Sequence, residues 1–405
     1  MSYSRLLVLA ISIIGHFLSN ITFAAAIQFY ELGAPVIGTA GVGQAALAND
    51  ASTAYFNPAG MMQLSNSQYL AGAQMMLPEV HFEKNNHNTI SGDNGGNAGA
   101  LVPGAGMYYV NSDFEKITWG ISFTSPYGGL LNYNDGWAGR FAVQTTQLYA
   151  LDLNPVIAYQ LFDWLALGAG ISIEYANLSQ TVALPIEPLI DGQINIKVSD
   201  FSPGFNIGLL WTPFDETKIG IAYRSQIVHD MTGDITFLRL NITPQATAKM
   251  TMPNNIIISG VQQITDNLNL LGEIGWSEWS CMKETILTVD GLSAITQLDW
   301  NNTYRLGIAA QYNLTPALLV QAGVSYDSSP AVAKHRQPEL PMDKQYRFGA
   351  GIIYAPIEGV DVGFSYEYID LGKAIINSIS SDGILAGSYR RNYINLIQTS
   401  INVYM

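Results

Sequence analysis

Stretch after stretch of this chain alternates apolar residues with small or polar ones, one for one, over lengths that fit a membrane-crossing strand. Leu165-Ala166-Leu167-Gly168-Ala169-Gly170-Ile171-Ser172-Ile173 does so, as does Val360-Asp361-Val362-Gly363-Phe364-Ser365-Tyr366-Glu367-Tyr368. In a third stretch Tyr346, Phe348, Ala350, Ile352 and Tyr354 oppose Arg347, Gly349 and Gly351. In a fourth, Leu318, Val320, Ala322, Val324 and Tyr326 oppose Gln321, Gly323, Ser325 and Asp327. Successive side chains of a strand point to opposite faces. Each stretch therefore has one apolar, ring-rich face and one face of glycine, serine and single charges. A soluble β-sandwich also has one apolar face, but it seldom carries so many rings on one side and so little on the other. The pattern predicts strands with lipid outside and a polar interior.

The links between these stretches point the same way. Short polar connections fall at residues 111–116, 161–164, 212–218, 265–267, 313–317 and 355–359. Long polar or glycine-rich ones fall near residues 83–103, 125–145, 179–199, 230–246, 280–298, 328–344 and 370–388. Six short and seven long links join fourteen strands, with tight turns toward the periplasm and long loops outside. The expected fold is all-β, a fourteen-stranded antiparallel transmembrane barrel. Composition agrees: charged residues are 12% of the chain, with 22 Tyr and 38 Gly, against about 25% charged in soluble domains. A net charge of −14 without a basic stripe argues against nucleic acid as a partner.

The N-terminus sets the compartment. Arg5, an apolar run over residues 6–14 and the small residues Ala24, Ala25 and Ala26 form a secretory signal peptide. Cleavage fits after Ala24 or after Ala26, giving a signal at 1–24, a plug-forming segment at 25–66 and the barrel at 67–405. The lone Cys281 cannot make an internal disulfide.

Residues 29–64 are unlike the rest. Gly33, Ala34, Gly38, Ala40, Gly41, Gly43, Ala45, Ala46 and Ala48 lead to Asp50-Ala51-Ser52 and then Asn57-Pro58-Ala59-Gly60. Small side chains on this scale suit a chain packed inside another structure, backbone against backbone. In order and spacing these elements resemble the N-terminal hatch of the long-chain fatty-acid transporter family of the bacterial outer membrane (FadL and TodX type), which also includes toluene and xylene channels. The stretch from Trp119 to Gly129, with Asn134-Asp135-Gly136-Trp137 after it, is similar to the family's third strand and following loop. Residues 153–160, 165–175, 274–279 and 300–312 also resemble family strands, so the likeness spans nearly the whole mature chain. The terminal Tyr404-Met405 departs from the aromatic last residue that the barrel-assembly machinery reads in this family, although Met405 keeps the lipid-facing register.

The resemblance implies a passive, cofactor-free carrier of hydrophobic compounds, fatty acids before aromatic hydrocarbons, acting as a monomer among outer-membrane lipid and lipopolysaccharide. It also implies a hatch held by Asp50, Asn57, Pro58, Ala59 and Gly60. Asn57, kept extended by the following proline, can bond plug backbone or barrel wall. Ile27 and Phe29, at the start of the mature segment, are candidates for the substrate pocket. In the family a kink in the third strand opens the wall sideways; here Gly120 or the Ser125-Pro126 step is where strand pairing would most readily fail. Gly120 also fits as plain inward-facing filler.

Strand alternation turns Glu174, Arg224, Glu273, Arg305, Arg347 and Glu367 inward, where charges must pair or meet water. Arg305 and Arg347 are the candidates for binding a substrate carboxylate, the competing role being structural pairing with Glu273 and Glu367. Enzymatic readings find little support. No histidine pair has metal-ligand spacing on a helix, no G-x-S-x-G elbow occurs, and Gly38-Thr39-Ala40-Gly41-Val42-Gly43 lacks the strand and helix of a nucleotide site. The Gly92–Asn97 stretch reads as a flexible outer loop. A structural or adhesive barrel with a plug that never opens is the competing class, and an outer-membrane lipase a more distant one.

Overall fold

The computed structural model describes residues 27–184, 192–238, 242–380 and 382–405; the signal peptide expected at 1–24 lies outside the described residues. One antiparallel sheet closes on itself through the pairing of its first and last long strands, giving a barrel of fourteen strands. In chain order they are β1 (Gln68–Lys84), β2 (Val102–Asn111), β3 (Ile117–Thr124, resuming at Tyr127–Asn132), β4 (Thr145–Phe162) and β5 (Leu165–Leu184). Then come β6 (Gly192–Phe214), β7 (Thr217–Arg224 and Ile227–Phe237), β8 (Gln245–Met252 and Asn255–Thr265), β9 (Leu268–Ser277, extended by Glu284–Val289) and β10 (Leu292–Gln297 and Thr303–Thr315). The wall is completed by β11 (Leu318–Asp327), β12 (Gln345–Ile357), β13 (Val360–Asp370) and β14 (Gly383–Tyr404). Among the described residues no helix is long and apolar enough to cross a membrane.

Side-chain alternation sets the two faces. Ile171, Ile207, Ile308 and Phe348 are exposed outward, while Ser172, Arg305, Arg347 and Glu367 are buried inward. Exposed rings gather beside the short turns: Phe162 and Trp164 stack, and Trp211, Phe214, Tyr312 and Tyr354 lie on the same rim, as an interfacial aromatic girdle requires.

Several long links prove shorter than their sequence suggests, because strands continue past the membrane. The expected loop at 280–298 is largely a hairpin (Glu284–Val289 against Leu292–Gln297), and β5 reaches Leu184 inside the loop expected from 179. Polar extensions in water lose the apolar alternation that marks a membrane strand, so their pairing is hidden in sequence. The Gly92–Asn97 stretch is tied down rather than loose: Asp93 accepts from Gly95 N–H and Asn134 Nδ2, and Asn94 accepts from Lys84 N–H. It belongs to a cap in which Trp137 stacks on Tyr133 (centroids 3.9 Å apart) and meets Phe82 edge-on.

Residues 29–64 fill the barrel. They form 3₁₀ turns at Pro35–Thr39 and Pro58–Gln63 around a single helical turn, Thr53–Phe56. Their close fit depends on glycines of the wall as much as of the segment itself. A Cβ on Gly72 would lie 1.7 Å from Gly33 O, and one on Gly220 1.8 Å from Ala45 O. No other residue lets wall and plug backbones meet at those points.

Candidate functional site

Two structures meet at the site: a latched plug and an interrupted wall. On the β9–β14 side, wall side chains bond the plug's backbone. Arg305 donates to Ala40 O (2.5 Å), Ser325 Oγ to the same carbonyl (3.1 Å), Gln321 to Pro35 O (2.6 Å) and Gln398 to Gly33 O (2.9 Å). The Glu273 carboxylate accepts from the N–H groups of Gly43 and Gln44. Arg305 pairs with Glu273 (3.0 Å) and Asp327 (2.9 Å), and Arg347 pairs with Asp327 (3.3 Å) and with Glu31 of the plug. The Tyr30 ring lies 4.0 Å from the Arg305 guanidinium and 5.1 Å from that of Arg347. Both arginines proposed for substrate carboxylates are thus engaged by protein groups. Buried charges in such a pair are costly to separate.

A second latch lies on the opposite wall. Asn57 Nδ2 donates to Ala45 O (2.5 Å) within the plug and to Leu209 O (3.0 Å) on β6, while its Oδ1 accepts from Ala59 N–H. The side chain therefore caps the Pro58–Gln63 turn and ties it to the wall. Pro58 and Ala59 lie against Gly168, where a Cβ would come within 2.6 Å of Pro58 C and 2.5 Å of Ala59 N. Gly60 is required by Thr53, whose Oγ1 would lie 2.1 Å from an added Cβ. Asp50 accepts from Ser52 N–H (2.9 Å) and Oγ (2.5 Å), shaping the turn before the helix. Arg224 donates to Tyr55 O and covers that residue's ring.

The wall is interrupted between β2 and β3. Met107 pairs with Phe123, and the ladder from there to Asn111 and Trp119 is intact. Beyond Ser125-Pro126, the second half of β3 pairs with β4 on one side but not with β2 on the other. Its freed edge is taken by Ile27 and Gln28, opposite Gly128 and Tyr127, and Phe29 N–H donates to Pro126 O (2.8 Å). The window closes again at its outer end, where Gly99 bridges Leu131 and Asn132 N–H donates to Ala98 O. Proline supplies the cause, since it offers no N–H to a neighbouring strand. Gly120, by contrast, is paired with both Val110 and Val156, and an added Cβ would strike Met61 Sδ at 2.7 Å. Its role in this structure is to make room for the plug.

Two cavities join at the window. One lies in the opening between residues 101–105 and residues 123–130, with Glu31, Leu32, Gln74 and Met76 behind it. The other is a mainly apolar chamber above the plug, roofed by Glu339, Leu340, Pro341 and Met342. Phe29, Met76, Val102, Gly128, Gly129, Leu130 and Leu148 line both. Phe29 thus stands where chamber and window meet; the Ile27 side chain lies outside the described residues. The roof is braced by Arg336, which donates to Asp343 (3.0 Å), by Tyr133 Oη to Pro338 O (3.0 Å) and by Asn392 to Pro341 O (2.5 Å).

A family model described as "Outer membrane protein transport protein (OMPP1/FadL/TodX)" matches residues 15–395. The chain belongs to this family. It is therefore an outer-membrane transporter and not an enzyme. Among family members similar to it, outer membrane protein P1 of Haemophilus influenzae is 26% identical over 85% of this chain and 86% of its own length. The long-chain fatty acid transport protein of Escherichia coli K12 is 25% identical over 86% and 89%. Of solved structures, a FadL homologue from Pseudomonas aeruginosa superposes with a TM-score of 0.84 at 20% identity, covering 95% of this chain and 99% of its own. The toluene transporter TbuX of Ralstonia pickettii gives 0.70 at 17% identity, covering 91% and 97%.

Sequence reasoning did not find Glu31 and Asp327 as arginine partners, nor Glu339 in the roof. Glu31 was legible only as a lone acid in a small-residue segment bound for a lipid-enclosed lumen, where an unpaired carboxylate would be costly. Glu339 left no such signal.

Proposed function

We propose that hydrophobic compounds enter the apolar chamber above the plug and leave sideways into the outer leaflet of the membrane through the β2–β3 window. The plug stays seated throughout. The observation that carries this reading is the continuity of chamber and window along Phe29, Met76, Gly128, Gly129 and Leu130. Transfer from water is driven by burial of apolar surface, at roughly 25 cal/mol per Å², and release by the lipid beyond the opening. No nucleotide or ion gradient is needed for a solute moving down its own gradient. Long-chain fatty acids are the first substrates to test, because several relatives are long-chain fatty acid transport proteins; toluene is the second, because structural neighbours include toluene transporters.

Gly129 supplies the test. It lines both cavities, and a Cβ there would meet nothing within 4 Å, so a large side chain can be added without backbone strain. Gly129→Trp should abolish most uptake of labelled oleate and of toluene by a deletion strain carrying the gene. Gly260→Trp, on an equally open stretch of β8, is the control. Uptake unaffected by Gly129→Trp would contradict the route.

A further inference from the structure

The outward face of the wall changes character along β12–β14. Through the middle of these strands it carries apolar side chains such as Ile352 and Phe348 on β12 and Phe364 on β13, all exposed. Toward the ends that carry the long links it turns to tyrosine. Tyr346 meets Tyr326 of β11 with ring centroids 5.2 Å apart, and Tyr368 lies 5.4 Å from Tyr393 and 6.4 Å from Phe348. One step further out stand three exposed cations, Lys344, Lys373 and Arg391. At this depth an interfacial aromatic girdle gives way to lipid head groups.

The fold brings these cations together. Asp343 N–H donates to Leu371 O (2.8 Å) and Leu371 N–H to Asn392 O (2.9 Å), which sets Gly372 between Lys344 and Arg391. Gly372 has a φ of +72°, and a Cβ there would lie 2.7 Å from Lys344 O. With no side chain in that gap, the two flanking backbones stand two strand spacings, about 10 Å, apart. Lysine and arginine stems are long enough to close it on one phosphate. The acids nearby are already engaged: Asp343 with Arg336 (3.0 Å), Glu83 with Arg390 (3.2 Å), Glu79 with His81 (2.8 Å) and Asp370 with Gly372 N–H (2.8 Å). Among the described residues Lys344, Lys373 and Arg391 form no ion pair, and Lys344 Nζ lies 5.8 Å from the Tyr346 ring. Elsewhere on the outward face the ladder sets Lys197 opposite Asp234 and Lys249 opposite Asp230. A chain of net charge −14 thus leaves three cations without carboxylates at one place and one depth.

We propose that this patch binds lipopolysaccharide, with Lys344, Lys373 and Arg391 holding a phosphate of its lipid A and the acyl chains lying along the aromatic row beneath. A free phosphate would use the cations alone; the apolar surface that continues directly below them fits a phosphate with chains attached. The inference is independent of the route that substrates take.

The test is binding of bisphosphorylated lipid A to the purified full-length mature protein in detergent micelles, followed by native mass spectrometry. We expect it to bind about tenfold or more tightly than dephosphorylated lipid A, and less tightly as salt is raised. Lys344→Gln, Lys373→Gln and Arg391→Gln should each weaken binding about fivefold, and on the order of a hundredfold together. The control Lys197→Gln/Lys249→Gln should leave affinity unchanged. Should the triple variant lack the heat-modifiable barrel band, the single variants decide. Equal binding of dephosphorylated lipid A, or the same loss in the control as in the patch variants, would overturn the assignment. So would displacement by millimolar inorganic phosphate, which would mark a plain anion site, or equal affinity for phosphatidylglycerol, which would mark a site for any anionic lipid.

Discussion

The two sides of the barrel treat the plug differently. Along β9–β14 the wall grips it with arginines, carboxylates and glutamines aimed at its backbone, and wall glycines such as Gly323 let it lie within contact of the sheet. At the β2–β3 break the plug instead lends the wall an edge strand of two residues and borders open, apolar space. A barrel of this width needs its lumen filled, yet a transporter needs a path. On the route proposed above both can hold: the plug is fixed where charges can anchor it, and passage would be left to the wall where hydrogen bonding fails.

The largest expected effect is on the latched side. Arg347→Met would leave Glu31 without its paired guanidinium and Asp327 with Arg305 alone, a loss of about 3–5 kcal/mol for one partner of a buried pair. Plug docking should fail and the barrel should leak, read as faster liposome swelling in a small sugar, while the heat-modifiable barrel band persists. The double variant Arg347→Met/Glu31→Gln should recover part of the seal. A tight barrel in the single variant would show that the network is not the anchor.

A smaller effect is expected at the opposite latch. Asn57→Ala removes two donated bonds and the cap on Ala59 N–H, at a cost of about 1–3 kcal/mol for the buried groups left behind. Substrate uptake should drop with barrel amount unchanged, and swelling should rise less than in Arg347→Met. Equal leakage in the two variants would erase the distinction between a main anchor and a secondary tie.

The smallest effect concerns the segment between the two parts of β9. Partial burial, and then the nearby Glu278 charge, push the Cys281 thiol up to about 11. A raised folded-state value keeps the thiol protonated, and so slow to react, from neutral pH up to the approach of that value. A membrane-impermeant maleimide at pH 7.5 should leave Cys281 largely unlabelled on intact cells while labelling Ser293→Cys at the exposed tip of the adjoining hairpin. Ready labelling of Cys281 would show this segment to be looser than described.

Much of this was legible in the sequence, for identifiable reasons. Lipid outside and a crowded lumen inside force the period-two pattern of Leu165 to Ile173, so strand count and link alternation could be read directly. Backbone contact with the wall forces small residues at Gly33 and Ala45, and these marked the plug. Pro126 can be read as a gap in a ladder because its chemistry is local. What could not be read is pairing at a distance. Arg347 and Glu31 lie 316 residues apart, and no local pattern says that a plug carboxylate will reach that guanidinium. The same holds for Glu339, whose segment reads only as a polar loop between β11 and β12 until the fold lays it over the chamber. Gly120 and Ser125-Pro126 looked alike as weak points, and only the register separates a glycine that admits the plug from a proline that opens the wall.

The route itself can be mapped most directly by photolabelling. A diazirine-bearing long-chain alcohol would be irradiated on the assembled protein in lipid vesicles and its adducts located by peptide mass spectrometry. The account predicts adducts at Met76, Leu130 and Leu148, which line chamber and window together, and their loss in Gly129→Trp. Adducts concentrated instead on Leu47 and Phe56, in the separate cavity on the plug's periplasmic face, and unchanged by Gly129→Trp, would mean that the solute passes through the plug and not through the wall.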